Sequence, residues 1–274
     1  MNITFETEVS RGQRFEFGRN WQNFLQTLSD ERIIIAEQSM IGMLGLQDLA
    51  GKSFLDIGSG SGLFSLVARR LNAKVHSFDF DPFSVACTRE LRSKYFPDDP
   101  DWSVEEGSVL DNDYMESLGN FDIVYSWGVL HHTGDMWTAL DNAASKTKRN
   151  GILFIAIYND QGWKSVAWRN VKKCYCSGTS GKMIVSAVFF PYFFFRSLIK
   201  SIVSGENKFT GYKRKRGMSI VHDWIDWLGG FPFEVASVEA TSHFLKERKF
   251  SPRNIRTTKG NGNNQFVFVR ETDN

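Results

Sequence analysis

From Lys52 onward, short apolar runs alternate with stretches whose apolar residues recur at helical spacing. Each run has the length of a buried strand, and the segments between the runs are long enough for helices. Strands that alternate with helices form a parallel sheet whose two faces the helices cover. The sequence therefore predicts an α/β fold with a doubly wound, mostly parallel sheet and strands at 53–57, 75–80, 102–106, 121–127 and 152–158.

The two ends of the chain have different patterns. Residues 21–46 carry apolar residues at helical spacing, and Ser29 is a candidate N-cap there. Near the other end, a helix is predicted at 237–250, followed by an antiparallel hairpin of strands 254–258 and 265–269. We therefore divide the chain into a helical N-terminal arm (1–50), a core (51–160), an inserted cap (161–235) and a C-terminal helix and hairpin that complete the core (236–274).

The first predicted strand ends in three alternating glycines, Gly58, Gly60 and Gly62, which precede a helical pattern. Glycines at such a turn let the backbone pass close to a ligand and present the amides of a helix N-terminus. A dinucleotide-binding fingerprint would have its third glycine at position 63, where this chain has Leu63. The loop therefore favours an adenosyl cofactor over a dinucleotide, and Asp56 is placed to help hold a cationic amino acid group.

A second acidic side chain, Asp79, ends the second predicted strand, where such residues reach ribose hydroxyls in doubly wound folds. Together these motifs resemble the class I S-adenosylmethionine-dependent methyltransferase family, which has a Rossmann-like fold, over about residues 50–160 and 237–270. The resemblance implies S-adenosyl-L-methionine as the cofactor. It assigns cofactor binding to Asp56, Gly58, Ser59, Gly60, Asp79, Phe80, Ser108, Val109 and Trp127, with Gly58, Ser59 and Gly60 at the methionine end and Phe80 against the adenine.

Histidines are the candidate general bases, because a hydroxyl acceptor must lose its proton when it is methylated. His131 and His132 follow the fourth strand, and members of the family similar to ubiquinone-biosynthesis and small-molecule O-methyltransferases have a histidine near the acceptor there. His222 and Asp223, in a segment rich in tryptophan, are secondary candidates. Tyr158, with the two residues after it, is a candidate acceptor contact, and a purely structural role in the loop is the alternative.

The cap is strongly basic. Residues 161–216 contain twelve lysines and arginines and one acid, a net charge of +11 within a chain of net charge +2. Residues 183–195 are almost wholly apolar, but Pro191 interrupts this run and it is shorter than the roughly 20 residues that span a bilayer. Two interpretations remain open: the aromatic residues pack on the core, or segment 183–216 contacts a membrane, with 213–216 at anionic headgroups.

The sequence predicts an O-methyltransferase of a small-molecule, glycan or lipid-linked acceptor. N-methylation and a non-catalytic cofactor-binding protein are the alternatives. The fourth strand lacks the Asn/Asp-Pro-Pro-aromatic motif of enzymes that methylate nucleic-acid bases, which argues against a nucleic-acid partner. An N-terminus without an apolar run favours a cytoplasmic location, including the periphery of a membrane, and three cysteines without further ligands predict no metal site.

Overall fold

The chain forms one seven-stranded sheet in a computed structural model that describes residues 4–204 and 220–272. Its strand order is β3-β2-β1-β4-β5-β7-β6, and this confirms the predicted fold class. The strands are β1 Ser53–Ile57, β2 Lys74–Asp79, β3 Trp102–Glu106, β4 Phe121–Trp127, β5 Thr147–Tyr158, β6 Phe250–Arg256 and β7 Asn263–Arg270.

The first five strands run parallel, and β7 pairs antiparallel with both β5 and β6. Strand β1 lies between β2 and β4, with Leu55 aligned to His76 on one side and to Val124 on the other. The order of the strands along the sheet reverses between β1 and β4, so the connections that follow these two strands leave in opposite directions. That arrangement opens a crevice at the carboxyl ends of the strands, where doubly wound folds bind ligands.

Helices cover both faces of the sheet, and each face buries its own cluster of apolar side chains. Alternate residues of β4 enter opposite clusters: Tyr125 packs on one face and Val124 on the other. The helices are α1 Phe5–Ser10, α2 Gly18–Leu25, α3 Asp30–Leu44, α4 Leu63–Arg70, α5 Pro82–Tyr95, α6 Asn112–Ser117, α7 Met136–Ser145, α8 Trp163–Cys176, α9 Thr179–Ser204, α10 Ile220–Gly229 and α11 Val238–Lys246.

Three predicted boundaries near the sheet's antiparallel edge are wrong. Helix α11 ends at Lys246, because Lys249 takes a left-handed conformation (φ 63°) that turns the chain into β6 at Phe250. Strand β6 therefore begins four residues before the predicted hairpin, and its proline, Pro252, is tolerated because β6 is an edge strand. Strand β5 begins at Thr147 instead of 152. The three residues that follow Thr147 are exposed and lack the apolar pattern used to locate the strand.

The cap between β5 and α11 contains helices α8, α9 and α10 and has a small apolar cluster of its own. Tyr175, Val185, Phe193 and Leu228 are its buried members. The apolar run of the cap belongs to a longer helix than the sequence suggested. Pro191 lies inside the 26-residue helix α9 and does not end it. Of the described residues, Thr179–Ile199 form one stretch of 21 residues long and apolar enough, by length and composition, to cross a membrane.

Candidate cofactor and acceptor site

A cavity of about 930 Å³ opens at the carboxyl ends of β1, β2 and β4. The nine residues assigned to the cofactor in the sequence all line it, although they come from four separate segments of the chain. The parallel sheet brings them together, because parallel strands end at the same edge. They are Asp56, Gly58, Ser59, Gly60, Asp79, Phe80, Ser108, Val109 and Trp127.

The glycine loop has the backbone conformation that only glycine adopts without strain. Gly58, Gly60 and Gly62 have φ values of 76°, 56° and 78°. A Cβ atom added to Gly58 would lie 2.4 Å from Cγ1 of Val129, which follows β4. The loop thus passes directly against the segment after β4.

Asp79 is bonded to the glycine loop. Its carboxylate accepts the N–H of Gly60 at 2.9 Å and the N–H of Asp81 at 2.9 Å. Burial raises the pKa of Asp79 to about 6, against the opposing effect of these two hydrogen bonds. Each carboxylate oxygen retains a further lone pair, so Asp79 can hold the loop and still accept hydrogen bonds from a ligand's hydroxyl groups.

Asp56 lies at the end of a buried chain of hydrogen bonds. Nε1 of Trp102 donates to Oγ of Ser77 at 3.0 Å, the hydroxyls of Ser77 and Ser65 lie 2.7 Å apart, and Ser65 donates to Asp56 at 2.5 Å. All four side chains are buried. Asp56 lines the cavity, and burial raises its pKa to about 7 because few groups nearby compensate a negative charge there. It is suited to a cationic ligand group.

The N-terminal arm closes one side of the cavity, which the sequence did not predict. The guanidinium of Arg14 lies 5.0 Å from the ring centre of Phe80, and the ring of Phe5 meets the same Phe80 edge-on. Arg14 also donates to the carbonyl of His132 at 2.9 Å. One arginine therefore connects the predicted adenine platform to the predicted catalytic segment.

His132 lines the same cavity as the glycine loop. Its Nδ1 lies 2.6 Å from the carbonyl oxygen of Pro232. A carbonyl can only accept, so Nδ1 carries the proton and Nε2 is left as the basic nitrogen. Burial lowers the pKa of His132 to about 3, with smaller effects from the charges of Lys172 and Arg14, and the ring is neutral at physiological pH.

His131 has different surroundings, although it is adjacent in sequence. Its ring is fully buried and is not among the residues that line the cavity. Nδ1 accepts the backbone N–H of Tyr158 at 3.3 Å, and burial lowers the pKa of His131 well below its ordinary value. The acceptor nitrogen is thus already used within the fold. The side chains of His222 and Asp223 lie outside the described part of α10, so their role stays a prediction.

The acceptor end of the cavity includes one predicted residue and several that the sequence did not identify. Tyr158 lines the wall, but Asn159 bonds Asn264 at 3.0 Å and Asp160 accepts the N–H of Gly162 at 2.8 Å, so these two brace the loop. The lining residues on this side that the sequence did not predict come from the arm and from α10. Each has an aromatic or a carboxylate side chain. They are Phe15, Phe17, Asp226 and Trp227, whereas Trp21 lies at the glycine loop, with its Nε1 3.1 Å from a Cβ placed on Gly60.

Two polar side chains of β7 also line the cavity. Oδ1 of Asn263 and Oε1 of Gln265 are buried and have no hydrogen-bond partner among the described residues. A buried acceptor without a donor costs about 1–3 kcal/mol. These atoms are accordingly suited to a ligand that supplies donors, and the alternating pattern of a strand gave no sequence signal for them.

Comparison with known proteins is consistent with this geometry. A protein-family model described as "Methyltransferase domain" matches residues 35–186. The ubiquinone biosynthesis O-methyltransferase of Rhodopseudomonas palustris is 32% identical over 123 residues, which cover 44% of this chain and 46% of that relative. The enzyme of the same name from Xanthomonas oryzae pv. oryzae is 34% identical over 114 residues, 41% of this chain and 45% of that one. The match therefore spans about half the length of these relatives.

Solved structures share the fold over more of the chain at much lower identity. The magnesium protoporphyrin IX methyltransferase of Synechocystis PCC 6803, solved with bound S-adenosylmethionine, has a TM-score of 0.53 at 11% identity, covering 88% of this chain and 80% of that one. An O-methyltransferase family protein from Burkholderia thailandensis has a TM-score of 0.57 at 12% identity, covering 100% and 65%. At these identities the likeness concerns the fold alone.

Proposed function

This chain belongs to the methyltransferase-domain family, and on that premise we propose that it transfers the methyl group of S-adenosyl-L-methionine to an oxygen of a small-molecule or lipid-linked acceptor. The observation that carries the proposal is the position of His132. His132 lines the same cavity as the glycine loop and Asp79, and its Nε2 is the basic nitrogen.

The cavity's chemistry fits the proposed cofactor. Asp56 supplies a buried carboxylate for an ammonium group, and Asp79 supplies acceptors for ribose hydroxyls. Phe80 offers an aromatic face for a purine, and the buried oxygens of Asn263 and Gln265 lack donors. S-adenosylmethionine, when bound, supplies an electrophilic methyl group on a sulfonium.

In the proposed reaction, Nε2 of His132 takes the proton of the acceptor hydroxyl as the oxygen is methylated. The Pro232 carbonyl keeps Nδ1 protonated and stabilises the positive charge that the ring gains. Phe17, with its ring centre 5.0 Å from that of His132, and Tyr158, at 5.5 Å, exclude water around the base. Orientation in a dry site supplies the remaining acceleration.

The test is incubation of the protein with isotopically methyl-labelled S-adenosylmethionine and a cell extract, followed by mass spectrometry of labelled products. We expect a methyl ether, the product of methylating a hydroxyl group. A labelled methylamine would overturn O-methylation and leave methyl transfer standing. Tighter binding of NAD than of S-adenosylmethionine in calorimetric titration would overturn the cofactor assignment.

We further propose that the protein meets its acceptor at the cytoplasmic surface of a membrane. Helix α9 makes the contact with the membrane. Six residues of this helix lie on one stripe, and each is between 51% and 72% exposed. Their spacing of three or four positions is that of a single helix face. They are Ile184, Val188, Tyr192, Phe195, Ile199 and Ile202.

Contacts of the opposite face of α9 favour a helix that lies in the membrane surface over one that spans the bilayer. Phe189 and Phe193 pack there against Trp168 of α8 and Trp224 of α10. The helices before and after α9 thus belong to one cap on the same side of it. The net charge of +11 on residues 161–216 complements anionic headgroups, although 213–216 lie outside the described residues.

Flotation with vesicles that contain an anionic phospholipid tests this contact. We expect the wild-type protein to float, and the double variant Ile184→Ser, Ile199→Ser to float several-fold less. The matched control is Ile34→Ser, Ile35→Ser, because these isoleucines of α3 are 46% and 57% exposed and belong to another surface. Equal flotation of the two double variants would contradict the proposal. So would loss of a dimer in the α9 variant with unchanged flotation.

A further inference from the structure

Lys172 of α8 is a cation buried in an aromatic environment. The residue is fully buried, and its Nζ donates to the backbone carbonyl of Trp227. The same Nζ lies 4.2 Å from the ring centre of Trp227 and 4.9 Å from that of Phe233. A buried ammonium persists only where such partners replace water.

The carbonyl that Lys172 binds is at the C-terminal end of α10. The last carbonyls of a helix lack partners within the helix, and a positive charge is favourable there. Cys176, one turn further along α8, donates to another carbonyl at this end of α10, that of Gly229, at 3.1 Å. Two side chains of α8 therefore fix the end of α10.

The chain leaves α10 through a short loop that reaches the proposed base. Pro232, in this loop, supplies the carbonyl that accepts Nδ1–H of His132 at 2.6 Å. Lys172 contacts the chain on both sides of that proline, at the Trp227 carbonyl before it and at the Phe233 ring after it. Lys172 thus contacts both ends of the segment that presents the Pro232 carbonyl.

We propose that Lys172 is a positioning residue that fixes the Pro232 carbonyl and thereby the tautomer of His132 in which Nδ1 carries the proton and Nε2 is free. The inference rests on the function proposed for His132. Burial lowers the pKa of Lys172 to about 7, so the residue retains its charge in a substantial fraction of molecules at neutral pH. Among the side chains that the structure describes, four titratable groups face it: Cys176 on its own helix, Asp226 on α10, and the two imidazoles of His131 and His132.

The charge of Lys172 opposes protonation of His132, because two buried cations repel each other. Loss of that charge is therefore expected to raise the pKa of His132. Loss of the contacts with Trp227 and Phe233 is expected to release the Pro232 carbonyl, so that the proton of the neutral ring distributes between Nδ1 and Nε2. These two effects are separable.

Long-range proton–nitrogen NMR of the full chain without cofactor reports both the tautomer and the protonation of His132, whose signals are assigned with His132→Asn. In Lys172→Met, which keeps the buried volume apolar, we expect protonation at higher pH and a loss of the Nδ1–H tautomer. In Lys172→Gln, which keeps a donor without the charge, we expect the shift in protonation and an unchanged tautomer. Lys173→Met, an exposed neighbour on α8, is the control and should match the wild type.

An unchanged titration and tautomer in folded Lys172→Met would overturn the proposal, and Lys172→Gln decides it if the methionine variant does not fold. Because these spectra need neither cofactor nor acceptor, they stand apart from the test of methyl transfer. A wild-type protein that transfers no methyl group contradicts the proposed function alone. Methyl transfer together with unaltered imidazole spectra contradicts the role of Lys172 alone.

Discussion

The two sides of the cavity are built in different ways. The donor side uses residues 56–60 and 79–80, whose backbone amides, glycines and two carboxylates meet at the ends of β1 and β2, together with Ser108, Val109 and Trp127. The acceptor side is assembled from the N-terminal arm, the segment after β4 and the cap, which are far apart in the chain. The donor side is thus suited to one invariant ligand, whereas the acceptor side can change with the segments that form it.

Removal of the proposed base is the strongest way to separate the two sides. In His132→Asn the new amide retains a donor near the Pro232 carbonyl but has no basic nitrogen. We expect the rate of methyl transfer to fall by about 100- to 10,000-fold, since a general base contributes that much, while S-adenosylmethionine binds as before. Single-turnover transfer and calorimetric titration measure these effects. His243→Asn, at an exposed histidine of α11, should leave both unchanged.

A side chain at the glycine loop should affect the donor side. In Gly58→Ala the added Cβ meets Val129 at 2.4 Å, in addition to the strain of a φ of 76°. We expect the dissociation constant of S-adenosylmethionine to rise about 100-fold, which corresponds to roughly 2.7 kcal/mol. The matched control is Gly51→Ala, which has the same backbone strain at φ 74° but nothing within 4 Å of its Cβ. Equal affinities of the two variants would show that the approach to Val129 does not shape the site.

Ionisation of Asp56 should make donor binding depend on pH. With a pKa of about 7, Asp56 is about one-tenth ionised at pH 6 and mostly ionised at pH 8. A cationic ligand group favours the ionised form, so we expect wild-type affinity to be about tenfold lower at pH 6 than at pH 8. Asp56→Asn should bind weakly at both values. Calorimetry at the two pH values distinguishes this from a purely structural role, in which the pH dependence would persist in the variant.

The buried carboxyl group of Asp56 should lower the stability of the folded chain at pH values above its pKa, where it is ionised. Its pKa in the folded chain exceeds the ordinary value of 3.8, so the folded state holds the proton more tightly than the unfolded state does. The stability this contributes is complete below pH 3.8 and is lost as the pH rises through about 7. Asp56→Asn should therefore melt at a higher temperature than the wild type at pH 8. An unchanged or lower melting temperature at that pH would contradict the raised pKa.

The smallest effect is expected inside the buried hydrogen-bond chain. Ser77→Ala removes the hydroxyl between Trp102 and Ser65, so Ser65 loses the donor that polarises its own bond to Asp56. We expect the affinity for S-adenosylmethionine to change only a few-fold and the rate of transfer from saturated enzyme to stay the same. A larger change in transfer rate than in affinity would place this chain on the acceptor side instead.

Local sequence identified candidate donor-side residues that all line one cavity, because the chemistry expected of them depends on residue types at fixed spacing. Gly58, Gly60 and Asp79 form one motif, and the edge of a parallel sheet necessarily brings the strand ends together. The two histidines show where such reasoning stops. His131 and His132 are equivalent in the sequence, but one ring bonds the backbone of β5 and the other lines the cavity.

The sequence by itself determined the sheet, the glycine loop and the acids at the strand ends, since apolar period, backbone conformation and charge are properties of neighbouring residues. Tertiary structure alone decided that Arg14 lies over Phe80, that Lys172 donates to the Trp227 carbonyl at the end of α10, and that one stripe of α9 stays exposed. Each of these depends on which distant segments pack together. Packing is set by the burial of whole surfaces, which no local pattern specifies.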